Sequence, residues 1–360
     1  NHLQAVQALI DAGADVDKGR TTDGDTPLFM AAQNNHPQVV QALIDAGADV
    51  DKGLTTDGDT PLFVAAWNNH LQAVQALIGA GADVDKGRTN GATPLFMAAQ
   101  ENHLQVVQAL IGAGADVDKG KTDTGSTPLV IAAHNDHLQI VQVLIDAGAD
   151  VDKETDTGST PLCVAVQNNH LQVVQALIDA GADVDKGSTD GVTPLMIAAQ
   201  ENHLQAVQAL IDAGADVDKG STTDGVTPLM IAAHNDRVSI VQALITAGSV
   251  PIPWQNSAPP PLYIAAQHGL LEFYPLLPPA LSSNGANQHE VLAFLRLRKE
   301  KDERDARRHE LLVCIANARR EQDAGRGDVL HPLLERIANL PSDVVRAHII
   351  PNHGREFLGA

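Results

Sequence analysis

Histidine and aspartate are the residues of this 360-residue chain whose types and spacing first suggest chemistry, because both can bind metal ions. His134 and His137 are a close pair at a metal-like spacing, but no further ligand accompanies them. Asp15 and Asp17 resemble the start of a calcium loop that lacks the third acid and the closing glutamate. The other histidines recur once per repeat, too far apart to share an ion. The sequence therefore predicts no metal site and no cofactor.

Catalytic patterns are also missing from the sequence. It contains no glycine-rich phosphate loop, no paired catalytic carboxylates and no Ser/His/Asp set outside the repeated pattern. We therefore expect a protein that is not an enzyme.

One unit of 33 or 34 residues makes up most of the chain, and self-similarity at this period indicates a stacked repeat array. In the copy at 191–218, Thr193 and Pro194 are typical of a helix start, as N-cap and first helical residue. Asn202 can adopt the left-handed conformation that ends the first helix, and Gly214 can end the second. The copies begin at a Thr-Pro-Leu motif, at Thr26, Thr60, Thr93, Thr127, Thr160, Thr193 and Thr227.

This unit, GVTPLMIAAQENHLQAVQALIDAGADVD, closely resembles the ankyrin repeat, over about residues 1–280. The resemblance implies an all-α fold: an ankyrin-repeat solenoid of helix-turn-helix repeats with β-hairpin fingers, followed here by a helical C-terminal region. One departure is clear. The family usually has His after Thr-Pro-Leu, where this chain has apolar residues such as Phe63, so we expect apolar packing to replace the polar link made by that His.

The decay of the pattern predicts the domain organisation. Prolines interrupt the unit after the seventh full copy, and a highly charged, helix-like sequence follows. We expect a partial ankyrin repeat at 1–19, seven ankyrin repeats at 20–250, a degenerate end repeat at 251–280, a linker at 281–287 and a charged helical C-terminal region at 288–360.

Charge is concentrated in the array. Residues 281–360 hold 13 of the chain's 24 Lys and Arg and 12 of its 45 Asp and Glu, so residues 1–280 hold 11 and 33. Such an acidic surface repels nucleic acid and anionic membranes, and no apolar run is long enough for a membrane span. Cys163 and Cys314 occupy apolar helical positions, which favours free thiols and a reducing compartment. We expect an intracellular, cytoplasmic protein, with the nucleus as an alternative location.

The resemblance also implies a binding surface. In ankyrin proteins the finger and first helix line a concave face that holds partner proteins, and the positions that vary there map onto this chain. The expected partner-binding residues are Asp25, Gln33, Asp59, Trp67, Gln100, Glu101, Ser126, His134, Ser159, Gln167, Val192, Gln200, Val226 and His234.

Two features of this set stand out. The early fingers carry two acids each, whereas the last two pair an acid with Val192 or Val226, which predicts a surface that is acidic at one end and more apolar at the other. Drift among duplicated repeats would explain the same trend. Trp67 is the only aromatic residue at its repeat position, and because tryptophan often dominates interface energy, Trp67 is the expected hot spot. A ring resting on a neighbouring repeat is the alternative.

The tail offers a second hypothesis. Residues 337–350, IANLPSDVVRAHII, faintly resemble the Leu-Pro-led opening helix of an F-box. This resemblance implies a substrate adaptor of a ubiquitin-ligase complex, although too few residues follow for an entire F-box. The alternative is an accessory helical bundle. The sequence thus predicts a non-catalytic protein–protein interaction scaffold, with the adaptor role as its alternative.

Overall fold

The computed structural model describes residues 2–21, 24–53 and 57–249, all within the first of the chain's two compact units, Asn1–Pro261. The predicted degenerate end repeat, linker and charged helical region at 251–360 lie outside the described residues, as do Cys314 and the F-box-like segment.

The described residues form fifteen α-helices, numbered in chain order, and no β-strand. Two kinds of helix alternate. The first helices, of seven residues each, are α2 (Pro27–Gln33), α4 (Pro61–Trp67), α6 (Pro94–Gln100), α8 (Pro128–His134), α10 (Pro161–Gln167), α12 (Pro194–Gln200) and α14 (Pro228–His234). The second helices, of nine residues each, are α1 (Leu3–Asp11), α3 (Pro37–Asp45), α5 (Leu71–Gly79), α7 (Leu104–Gly112), α9 (Leu138–Asp146), α11 (Leu171–Asp179), α13 (Leu204–Asp212) and α15 (Val238–Thr246).

The helix boundaries follow from the residue types at the ends. In the third full repeat, the Thr93 hydroxyl accepts the backbone N–H of Phe96 at 3.1 Å, and Pro94 occupies the first helical position. Asn102 ends the first helix with φ at 60°, a left-handed conformation that asparagine tolerates better than most residues. The same signals recur in every full repeat, so the helix pairs predicted from the sequence are confirmed.

Stacking buries the apolar side of each helix pair against the next. Leu95 and Leu110 are fully buried within their repeat, and the paired alanines Ala65 and Ala66 have no exposed surface. These small residues let first helices approach closely, and first helices contact one another more extensively than second helices do. The array is therefore packed most tightly along its first-helix side.

In the fingers that the structure describes in full, tight turns too short for a strand ladder replace the predicted β-hairpins. In the finger at 88–92, the Arg88 N–H donates to the Ala92 carbonyl at 2.9 Å, and the Gly91 N–H donates to the Arg88 carbonyl at 2.8 Å. Neighbouring fingers are also linked, since the Thr89 N–H donates to the Asp57 carbonyl at 2.9 Å. Equivalent bonds run from Thr122 to Asn90, from Asp156 to Thr124 and from Thr222 to Asp190.

Gly91, in the finger at 88–92, is a position where a larger residue should destabilise the array. Gly91 has φ at 81°, and a Cβ added there would lie 2.6 Å from the Thr122 nitrogen of the next finger. Gly225 has φ at 68° with nothing near its added Cβ. We expect Gly225→Ala to lower the free energy of unfolding by about 1 kcal/mol through backbone strain alone, and Gly91→Ala by about 2 kcal/mol. Urea unfolding of both variants would measure this, and equal losses would contradict the proposed finger contact.

The Asp-Val-Asp-Lys motif, whose first copy resembles a calcium loop, links each repeat to the next. Its second aspartate accepts a backbone N–H from the following repeat: Asp51 Oδ1 lies 3.0 Å from the Asp83 nitrogen. The lysine of the following repeat makes a second contact with the same residue, because Lys86 Nζ donates to the Asp51 carbonyl at 2.8 Å. The regular series ends at Ser249, whose hydroxyl donates to Asp218 Oδ1 at 2.6 Å.

The recurring histidines form a second link between repeats, which the sequence analysis did not predict. His103 stands at the N-cap of α7, and its Nδ1–H donates to the Ala66 carbonyl of the preceding repeat at 3.0 Å. His70, His137 and His203 make the equivalent bond at 2.8–3.0 Å, and His170 donates through Nε2 to the carbonyl one residue later, that of His134. The Ala66 carbonyl also accepts the Asn69 N–H at 3.3 Å, so the ring adds a second, shorter hydrogen bond at this helix end and stabilises the junction.

Leucine at this position would remove that bond while retaining much of the side-chain volume. We expect His103→Leu to lower the free energy of unfolding by about 1 kcal/mol, because the bond to the Ala66 carbonyl is lost while the longer one from the Asn69 N–H remains. His36 is the matched control, since the described residues hold no first helix before its own repeat whose carbonyl its ring could reach. Thermal unfolding of the two variants would compare them, and a His36→Leu loss as large as that of His103→Leu would refute the role of the bond.

Candidate functional site

The residues expected to bind partners lie in the fingers and at the C-terminal ends of the first helices. They differ in exposure. Gln33, Trp67, Glu101, His134, Gln167, Gln200 and His234 are exposed, while Asp25, Gln100, Ser126, Ser159, Val192 and Val226 are partly buried. Asp59 is buried, with 5% of its surface exposed, so it can influence a partner only through the group that covers it.

Arg88 is that group. Its Nε and one terminal nitrogen donate to the two oxygens of Asp59, each at 2.7 Å, in a bidentate pair. The guanidinium carbon also lies 5.2 Å from the ring centre of Phe63 and 5.3 Å from that of Trp67. Both distances are within the range of cation–π attraction. A carboxylate and two aromatic rings therefore fix one cation on the first-helix side of the array.

Trp67 is held by the same contacts. Its ring meets the fully buried Phe63 ring edge-on, with centroids 6.3 Å apart and planes at 72°, and 38% of the Trp67 surface stays exposed. The ring is thus anchored on one side and open to solvent on the other. Such a rigid, partly exposed aromatic group loses little conformational entropy when a partner covers it.

Negative charge around Arg88 stabilises its charged form. The hydrogen bonds that Arg88 donates to Asp59, and the negative charges of Asp59 and Asp57, raise the pKa of Arg88 above its ordinary value. Asp57 itself is exposed at the tip of the preceding finger. Arg88, Asp57 and Asp59 together carry one net negative charge, so the fixed cation does not make this part of the surface positive.

The arrangement partly recurs in the next repeat. Lys121 stands at the finger position of Arg88, with Nζ 5.8 Å from the Phe96 ring centre and 3.3 Å from Asp123 Oδ1. Neither cation was predicted from the sequence. Part of the signal was available, because a cation follows two of the three repeats that have phenylalanine after Thr-Pro-Leu, and Leu54 follows the third.

Hydroxyl groups replace the cations farther along. Thr155, Ser188 and Ser221 occupy the same finger position, and their side-chain oxygens accept backbone N–H groups within their own fingers at 3.1–3.4 Å. The Ser221 hydroxyl also donates to Asp224, which lowers the pKa of that carboxyl together with the N–H of Val226. The surface thus changes from aromatic–cation pairs to hydroxyl-stabilised turns along the array.

The family model described as ankyrin repeats (3 copies) matches residues 1–88, 81–155 and 147–221, and the ankyrin repeat model matches residues 224–253. The chain belongs to the ankyrin repeat family. The crystal structure of the human ASB11 ankyrin repeat domain is similar, with a TM-score of 0.55 and 28% identity over 63% of this chain and 100% of that chain. No curated protein matches.

In each of the two N-terminal fingers of this ankyrin array, one acid is compensated by a cation. Asp25 lies 3.5 Å from the Arg20 guanidinium, and Asp59 is paired with Arg88. At the other end Val192 and Val226 are only partly buried, as an apolar contact surface requires. The predicted change from acidic to apolar is therefore present in residue type, although the buried Asp59 contributes no exposed acid.

Exposed amides and carboxylates complete the ankyrin surface. Gln100 donates to Glu101 at 2.9 Å and Gln200 to Glu201 at 3.2 Å, each pair lying at the end of a first helix. Within the described residues, no group of three His, Cys, Asp or Glu side chains could hold a metal ion. No helix in that part of the chain is long and apolar enough to cross a membrane.

Proposed function

We propose that this ankyrin protein is a non-catalytic scaffold that binds partner proteins through the concave face formed by its fingers and first helices. The observation that carries the proposal is Trp67, an exposed ring held in place by Phe63 and Arg88. Tryptophan and arginine dominate the energetics of protein interfaces, and both occur here in a fixed arrangement.

The packing of the array supports the choice of face. First helices contact their neighbours more extensively than second helices do, which favours curvature toward the finger side. Four pairs of neighbouring fingers are joined by hydrogen bonds, and the aspartate and histidine contacts join successive repeats. A partner would therefore meet a preformed surface, so little binding energy is lost in ordering it.

Family membership supports the class of function, since ankyrin repeats generally serve as non-catalytic interaction domains. A location inside the cell remains part of the proposal. It rests on cysteine usage, and Cys163 is a free, buried thiol whose pKa is raised by burial.

A matched pair of triple variants tests the face. One carries Gln33→Arg, Gln167→Arg and Gln200→Arg at exposed ends of first helices. The control carries the same change at Gln72, Gln105 and Gln205, which are exposed on second helices. Proteins captured from a lysate by the unmodified chain should be lost with the first variant and retained with the control. Loss with both variants, or with neither, would overturn the proposed face.

The alternative function is that of a substrate adaptor in a ubiquitin-ligase complex, and the Leu-Pro-led segment at 337–350 is the observation that favours it. The adaptor role predicts that ligase components are captured by the full chain and lost when residues 337–350 are deleted, while array-bound proteins remain. Capture of the same proteins by both forms would leave the scaffold as the whole function.

A further inference from the structure

Eight of the array's eleven Lys and Arg side chains are engaged in contacts within the array. In the fingers, Arg20, Arg88 and Lys121 lie next to Asp25, Asp59 and Asp123. The lysines of the Asp-Val-Asp-Lys motif donate instead to carbonyls of the preceding repeat, as Lys52, Lys86, Lys119, Lys186 and Lys219 do. Since residues 1–280 hold 33 acids against 11 Lys and Arg, a large negative excess remains for a partner to meet.

Part of the negative excess lies beside the exposed ring of Trp67. Asp57 is exposed at the finger next to Arg88, and Glu101 is exposed one repeat beyond Trp67. Because Asp59 neutralises Arg88, the surroundings of Trp67 are negative, and aromatic faces attract cations. Exposed glutamines at the same helix position in other repeats, such as Gln33 and Gln167, offer amide oxygens that accept hydrogen bonds from guanidinium groups.

We infer that the partner segment lying on this face is an extended stretch of protein chain rich in arginine and lysine. This inference rests on the proposed function and names the chemistry of its partner. Nucleic acids and anionic membranes share the sign of the array and are repelled at long range. A basic segment is attracted over the same distances, and the attraction raises its association rate.

Repeat geometry sets the spacing of the charges. Packed helices lie about 8–10 Å apart, and an extended chain in the polyproline II conformation advances about 3.1 Å per residue with three residues per turn. Every third residue of such a segment therefore faces the array and meets a successive repeat. A probe with one arginine in three residues, (Arg-Ala-Gly)5, would place successive arginines over about five repeats.

The experiment uses the full chain carrying Trp254→Phe, which leaves Trp67 as its only tryptophan. Binding of (Arg-Ala-Gly)5 at low ionic strength is followed by the fluorescence of Trp67, with (Glu-Ala-Gly)5 as the opposite-charge peptide. Two double variants with equal charge change are compared. Asp57→Asn with Glu101→Gln alters the finger and first-helix side, and Asp146→Asn with Asp179→Asn alters exposed second-helix carboxylates.

We expect the basic peptide to change Trp67 emission and the acidic peptide to leave it unchanged. The first double variant should raise Kd about fivefold, and the second by less than about twofold, since two exposed charge contacts are lost only in the first. Equal weakening by both variants would mean general attraction to an acidic protein and would overturn the assigned site. No response to the basic peptide would overturn the inference as well.

Failure of the inference that the partner segment is basic can be distinguished from failure of the proposed function. If the glutamine variants abolish partner capture while the basic peptide does not bind, the concave face stands and the partner is not basic. If the glutamine variants have no effect on capture, the face itself is wrong, whatever the peptide does.

Discussion

Replacing Arg88 with alanine is expected to lower the free energy of unfolding by about 3 kcal/mol, because it leaves the buried Asp59 carboxylate without its bidentate partner. The side chain of Asp59 is only 7% exposed beneath the guanidinium, so water admitted by the truncation replaces the two lost hydrogen bonds only in part. The variant also loses the stacking of Arg88 on Phe63 and Trp67. Urea unfolding followed by circular dichroism would measure the loss.

Lys121→Ala is the matched control. Lys121 occupies the same finger position, but its partner Asp123 is largely exposed, and exposed pairs contribute less than about 1 kcal/mol. Adding Asp59→Ala to Arg88→Ala should recover part of the loss, because the unpaired charge is removed. Similar losses for Arg88→Ala and Lys121→Ala would show that burial of Asp59 does not govern the pair.

Trp67→Ala is expected to weaken binding of a captured partner protein by at least about 30-fold, which corresponds to about 2 kcal/mol at an interface hot spot. The reason is the geometry of the ring, which is anchored on Phe63 and Arg88 and open on its other side. Isothermal titration calorimetry with the purified partner would measure the change in Kd.

A second exposed apolar residue serves as the control for this effect. Leu204 lies on second helix α13 with 41% of its surface exposed, close to the 38% of Trp67. Leu204→Ala removes a comparable exposed apolar side chain from the other helix row, and we expect Kd to stay within about twofold. A larger effect for Leu204→Ala than for Trp67→Ala would place the partner on the second helices.

Much of the fold could be predicted from the sequence, because its signals are local. Thr193 and Pro194 start a helix by themselves, and Asn202 ends one by its own conformational preference, at φ 64°. The apolar replacement of the family's His was also predictable, and Phe63 is fully buried. The lack of β-strands in the described fingers could not be predicted, since it depends on how many cross-turn hydrogen bonds form.

The candidate site was harder to predict, because its contacts join residues from different repeats. Asp59 and Arg88 are 29 residues apart, and nothing in either finger alone indicates that one neutralises the other. The histidines were recognised as one per repeat, yet the carbonyl that His103 meets belongs to a helix end 37 residues earlier. Knowing the helix register would have located both partners. The position of Trp67 at the end of a first helix needed only the repeat itself.

The junction chemistry has a consequence for the history of the gene. The aspartate, lysine and histidine that join one repeat to the next recur at equivalent positions, so each interior junction presents nearly the same donors and acceptors as every other. Insertion or loss of one 33- or 34-residue segment would restore these contacts at the new boundary. Unequal recombination can therefore lengthen or shorten such an array without a folding defect, and alleles that differ by whole repeats should encode stable proteins.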